Sequence, residues 1–172
     1  GNPHISYLED SAPPGDPSHG PLVLKYAKWI GSAWQTEIVD SAGSVRLSMA
    51  LDAAGNPHIS YFTGDPYYDL KYARWTGSTW QIETIDSDAG SNVDGSVSLA
   101  LDAAGNPHIS YYTGDPYYDL KYAEWTKSSG WITSIVDSSG NVNVAGDTSL
   151  ALDEAGNPHI SYNIVGANQD GG

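Results

Sequence analysis

The sequence predicts an all-β chain: a β-propeller segment of four-stranded antiparallel blades, about three and a half repeats of roughly 50 residues. Three observations predict it. The heptapeptide GNPHISY starts at Gly1, Gly55, Gly105 and Gly156, and the copies run well beyond it, residues 98–126 being nearly identical to residues 48–76. Apolar residues alternate with period two and show no helical period. The 19 Gly and 10 Pro of the chain supply a turn every few residues.

Each unit divides into strands A to D. In residues 96–102, Val97, Leu99 and Leu101 share one face while Ser98 and Ala100 share the other, which makes strand A. Asp102, Ala103, Ala104 and Gly105 then form a hairpin turn, with Asp first and Gly last where positive φ is needed; the turn recurs at Asp52 and Asp153. Strand B covers 108–112, a Pro-fixed loop covers 113–119, and strand C covers 120–125. In WTGSTW a two-residue turn at Gly77 and Ser78 sets Trp75 opposite Trp80, and strand D follows over 80–86. The first unit carries B (4–7), C (22–29) and D (34–40), two complete units follow, and A and B close the sequence within 149–162. Thirteen strands result. Four short strands per unit match a propeller blade better than a β-helix rung, which is shorter, or a string of separate domains, whose cores would be marginal.

LDAAGNPHISYY, DLKYAEW and the closing Trp plus VD resemble the blade repeats of secreted or surface-displayed bacterial and archaeal propeller proteins, a group that includes lectins, sialidase-like enzymes and structural modules. The resemblance implies the fold over nearly the whole chain and an extracellular or cell-surface setting. The expected organisation is one repeat array over 1–172: a partial blade and linker (1–54), two repeats (55–104 and 105–155) and a partial terminal repeat (156–172). The opening in mid-repeat without Met suggests a processed or excised chain. Strand B occurs four times against three each of A, C and D, so the incomplete blades are expected to be complemented by a second copy, as a ring or a filament, or by further repeats of the same polypeptide.

Composition narrows the partners. A net charge of −14, from 21 acidic residues against seven basic ones, disfavours nucleic acid and anionic lipid. The absence of cysteine excludes disulfides and thiolate metal sites, and no run of about 18 apolar residues is present to insert in a membrane as a helix. Twelve Tyr and six Trp against one Phe and one Met suit surfaces that are half packed and half wet.

Four sets of residues are candidates for chemistry. His4, His58, His108 and His159 share one repeat position; spread around a ring they cannot converge on a zinc ion, and each is expected to satisfy backbone groups together with the Ser two residues on. Asp86, Asp88, Asn92 and Asp94 alternate around Gly90 as calcium ligands do, which makes calcium the one cofactor the spacing admits; an ordinary turn is the competing reading. Tyr67, Tyr68 and Asp69, with Tyr117, Tyr118 and Asp119, form a repeated aromatic and acidic rim suited to glycans, unless the tyrosines merely pack between blades. Trp75 with Trp80, and Trp125 with Trp131, are expected to stabilise hairpins.

No enzyme is expected. A sialidase-like site needs an arginine triad, and only Arg46 and Arg74 are present, both outside the strongest repeat identities. SxDxGxTW, a Gly-rich phosphate loop and HExxH are missing as well. The expected function is a non-enzymatic extracellular structural or adhesive module, self-associating through its terminal blades. The alternatives are a carbohydrate-binding propeller lectin and a fragment of a larger propeller enzyme whose catalytic residues lie elsewhere.

Overall fold

The structure, a computed structural model, describes residues 1–13, 20–41, 43–64, 68–87, 95–114, 118–138 and 146–163. All regular structure among them is β, in four antiparallel sheets. The first holds β1 (His4–Asp10), β2 (Leu22–Trp29) and β3 (Trp34–Asp40). The second holds β4 (Ser44–Leu51), β5 (Pro57–Thr63), β6 (Leu70–Trp75) and β7 (Trp80–Asp86). The third repeats that order with β8 (Val97–Leu101), β9 (Pro107–Tyr112), β10 (Leu120–Thr126) and β11 (Gly130–Asp137). The fourth pairs β12 (Thr148–Leu152) with β13 (Pro158–Tyr162). This is the predicted blade architecture, strand for strand. Strand β12 pairs with β13 alone among the described strands.

Local chemistry sets the hairpins. In each A–B turn the Asp carboxylate collects the turn's donors: Asp52 Oδ1 accepts from the Ala54 and Asn56 amides at 2.9 and 2.8 Å, and Oδ2 accepts from Asn56 Nδ2 at 2.9 Å. Gly105 closes the next copy at φ +82°, a left-handed conformation that glycine takes without steric cost. At the C–D turn Gly77 lies at φ +95° in the two-residue loop between Thr76 and Thr79, where the Thr76 amide donates to the Thr79 carbonyl at 3.0 Å. That turn brings Trp75 opposite Trp80, and its counterpart brings Trp29 opposite Trp34.

Strand β1 is longer than expected. Leu8, Glu9 and Asp10, expected in the loop, pair with Leu24, Val23 and Leu22, and Lys25 Nζ donates to Glu9 at 2.8 Å. A hairpin continues while both strands can pair, and it stops where Asp10 Oδ1 turns to accept from the Ala12 and Gly20 amides.

The core lies between sheets. Phe62, Leu70 and Tyr72 of the second sheet pack with Val97, Leu99, Ile109, Tyr111 and Ala123 of the third. Leu24, Tyr26 and Val39 of the first pack with Ile59, Tyr61 and Ala73 of the second. Strands β5 and β9 are buried along their whole length, so the alternation of a half-exposed sheet is lost where a blade is covered on both faces. At about 1.5–3 kcal/mol per fully buried large apolar side chain, these junctions dominate the favourable energy of the array.

Polar links run across the same junctions. Ser48 Oγ accepts from the Leu99 amide at 3.1 Å, and Ser98 Oγ accepts from the Leu150 amide at 3.0 Å, tying successive A strands together. The Tyr of GNPHISY donates its hydroxyl to the Asp that ends the previous D strand: Tyr61 to Asp40 at 2.6 Å, Tyr111 to Asp86 at 2.9 Å and Tyr162 to Asp137 at 2.8 Å. Close packing within the third blade leaves no room beside Gly95, just before β8, where an added Cβ would stand 2.4 Å from Tyr112 Cβ on β9.

Candidate functional site

A two-chambered cleft opens between the second and third sheets, at the rim formed by the A–B and C–D turns. One chamber, of about 210 Å³, is lined by His58, Tyr72, Arg74, Glu83, Asn106 and Trp125, among others. The second, of about 710 Å³, lies between the turns at Asp52 and Asp102 and includes Trp75, Leu51 and Leu101 in its wall.

Each polar group reaches the cleft for a structural reason. The Nδ1 of His58 shares a hydrogen bond with the Tyr72 hydroxyl on β6, and its Nε2 lies 3.9 Å from Asp52 Oδ2. Glu83, on β7, accepts from Trp131 Nε1 of the next blade at 3.0 Å, and the Trp131 ring meets Tyr72 edge-on at 5.2 Å between centroids. Arg74 is exposed on β6 and is braced by Gln81, whose Oε1 accepts from Nε at 3.1 Å and from Nη2 at 2.8 Å. A guanidinium held in this way presents its remaining donors in a fixed plane.

The charges are mixed. Burial lowers the pKa of His58; the Asp52 carboxylate pulls it back up, and Arg74 adds to the lowering. Burial works against ionisation of Asp52, yet the Asn56 side chain and the Asn56 and Ala54 amides hold its carboxyl below the ordinary value. His58 is therefore neutral at pH 7 beside an ionised Asp52.

The repeat makes the cleft comparable with its neighbours. Register places Lys28 in the first sheet and Glu124 in the third where Arg74 stands in the second; their partners across the pair of strands are Gln35, Ile132 and Gln81 respectively. The Glu83 position is Glu37 in the first sheet, where it accepts from Trp80 Nε1 at 3.2 Å, and Ser134 in the third. Arg and Glu thus coincide only at the junction of the second and third sheets.

The histidines sit at equivalent places, but their partners differ from the expectation. His4, His58 and His108 bond the hydroxyls of Tyr26, Tyr72 and Tyr122 on the neighbouring strand, not backbone groups. The serines differ from one repeat to the next. Ser110 bonds Thr148 at 2.9 Å, whereas Ser60 Oγ has no hydrogen-bond partner among the described residues. His159 lies 3.7 Å from Asp153.

The tyrosine rim stands at the opposite end of the blades from the cleft. Tyr68 and Tyr118 occupy left-handed backbone at φ 43° and 49°, and Tyr68 packs against the Phe62–Tyr111 core. Asp69 and Asp119 close their loops by donating their backbone amides to Thr63 Oγ1 and Thr113 Oγ1, both at 2.8 Å, and Asp119 is buried. Tyr67 and Tyr117 lie outside the described residues, as do Asp88, Asn92 and Asp94 of the calcium candidate. Its remaining member, Asp86, accepts from Tyr111 and, at 3.0 Å, from Lys121 Nζ. Among the described residues no group of three or more His, Cys, Asp or Glu could hold a metal ion.

Trp125 faces Trp131, and Trp75 packs edge-on with Trp80 at 5.5 Å. The closing tryptophans do more than the expected hairpin pairing, because Trp80 and Trp131 also bond and stack on the preceding blade. The signal for this was in the sequence: Glu37 and Glu83 each stand three residues after a strand-opening Trp.

Comparison with solved structures supports the fold class. The chain is similar to a fucose lectin from Kordia zhangzhouensis, solved in complex with methyl-fucoside, with a TM-score of 0.54 and 20% identity, over 72% of this chain and 85% of that one. No protein-family model and no curated protein matches the chain. The fold is that of a propeller-type repeat array, in agreement with the sequence.

Proposed function

We propose that the chain is a carbohydrate-binding propeller module whose glycan site is the cleft between its second and third sheets. The observation that carries this reading is the convergence of Arg74, Glu83 and Trp125 in one chamber of about 210 Å³. A guanidinium donates to paired sugar oxygens, a carboxylate accepts from hydroxyls, and an indole offers an apolar surface to the C–H face of a pyranose. A fold shared with a fucose lectin supports the reading at the level of architecture. The site is assigned to the rim away from Tyr68 and Tyr118. The extracellular setting expected from the sequence accords with a glycan ligand.

The module is read as non-enzymatic. Among the described residues around Arg74 the polar groups hold one another and the turn, and the hydroxyl–imidazole pair of Tyr72 and His58 recurs as Tyr26 with His4 and Tyr122 with His108, as a bond that serves the scaffold does. A broad glycan array followed by calorimetry tests the proposal. The expected result is binding that Arg74→Ala and Glu83→Gln each weaken at least tenfold, with unchanged circular dichroism. Absence of binding to every glycan, or binding indifferent to both variants, would overturn it.

A further inference from the structure

We propose that the cleft is a two-subsite receptor for a neutral oligosaccharide: one sugar residue enters the smaller chamber, the next lies in the larger one, and Arg74 stands at the linkage between them. This rests on the glycan-binding reading above and adds the size and charge of the ligand.

The two chambers are continuous in their lining. His58, Arg74, Ala104 and Gly105 belong to both. They differ in chemistry: Glu83, Asn106 and Tyr72 make the smaller one polar on several sides, whereas the larger one sets the apolar surface of Leu51, Trp75 and Leu101 between the carboxylates of Asp52 and Asp102. A pyranose held firmly at its hydroxyls, followed by one resting on its C–H face, fits that sequence of surfaces.

The turns keep the larger chamber open. Both turns that flank it read Asp-Ala-Ala-Gly, from Asp52 and from Asp102, while the turn at Asp153 has Glu154 in place of the first alanine. A side chain longer than Ala53 or Ala103 would project from the turn into the space where the second residue lies.

Charge selects against acidic sugars. Besides neutral His58, the described lining holds one cation, Arg74, against the carboxylates of Asp52, Asp102 and Glu83. The Arg74 guanidinium already donates two hydrogen bonds to Gln81. A uronate or sulfated sugar would meet net negative charge here, in a chain that carries −14 overall.

The experiment is calorimetry with methyl glycosides of fucose, galactose, mannose and glucose, with neutral disaccharides ending in each, and with uronic-acid counterparts. The best disaccharide is expected to bind at least tenfold more tightly than the methyl glycoside of its terminal residue, and the uronates more weakly than either. Ala103→Trp, at an exposed turn position, is expected to remove the tenfold gain of the disaccharide; Ala53→Trp is the second variant should the first fail to fold. Equal affinity for mono- and disaccharide, or a gain that survives both variants, overturns the two-subsite proposal while the single-site glycan reading stands. If no sugar binds at all, both fall together.

Discussion

Replacing Tyr111 by Phe isolates the link between blades. The Tyr111 ring is fully buried, and its hydroxyl donates to Asp86 Oδ2 at 2.9 Å across the junction. Phenylalanine keeps the ring and opens no cavity, so the change removes one hydrogen bond to a charged acceptor. Such bonds contribute about 1.5–3 kcal/mol. Because Lys121 Nζ still donates to the same carboxylate at 3.0 Å, Asp86 is not stranded, and a value near 2 kcal/mol is expected from that range. For a chain of this size that is a fall in Tm of about 4–8 °C. Tyr61→Phe removes the equally buried contact to Asp40 and should cost about the same. Tyr162 makes the same bond to Asp137 from an exposed position, 42% accessible, and its Phe variant should leave the melting curve unchanged. Thermal and urea melts of the three variants, with a Tyr111→Phe/Asp86→Asn cycle, measure the difference. If Tyr111→Phe behaved like Tyr162→Phe, or the cycle showed no coupling, the junction would be held by apolar packing alone.

Two further predictions concern packing within the blades. His4 and His58 are both shifted below the ordinary imidazole value, chiefly by burial, with Lys28 adding to the shift at His4 and Arg74 at His58, where Asp52 opposes it. The unfolded chain therefore takes up these protons first, and stability present at neutral pH is lost as pH falls below about 6.5. Tm should drop between pH 7.5 and 5.5, and His4→Asn/His58→Asn should flatten that slope; a double variant with the wild-type slope would refute the assignment. Gly95→Ala, whose Cβ would lie 2.4 Å from Tyr112 Cβ, should destabilise by about 1–3 kcal/mol in urea, and a neutral result would show that the third blade gives way there without cost.

The strands could be read from the sequence because everything that defines them is local. Period-two alternation fixed strands such as β8, Asp and Gly at the ends of a four-residue stretch fixed the A–B turns, and the short turn around Gly77 fixed the Trp75–Trp80 pair. Contacts between blades have no such local code. Tyr61 meets Asp40 from 21 residues away, Trp131 meets Glu83 from 48, and Leu99 meets Ser48 from 51. Register within a sheet does not specify them; they arise from how one sheet settles on the next. The His residues illustrate the limit, since their repetition was visible but their partner, the Tyr of LKYA on the adjacent strand, required the strand pairing first.

Repetition also explains why no motif marks the cleft. A position that holds the fold must supply the same chemistry at every junction, as the Tyr-to-Asp pairs do three times over. Where equivalent positions differ in charge from blade to blade, the fold cannot depend on any one of them. Lys28, Arg74 and Glu124 differ in this way on strand C. Glu37 and Glu83 on strand D do not, since each accepts from the tryptophan of the next blade and so belongs to the scaffold. The variable strand C position lines the cleft at the second junction, where Arg74 meets Glu83 and Trp125. The identities among repeats account for the scaffold, and the departures from identity mark where the blades are free to carry a site. Arg74 stood outside the strongest repeat match for the same physical reason that it is available to a ligand: its hydrogen bonds go to Gln81 of its own sheet, so the packing of one blade on the next does not depend on it.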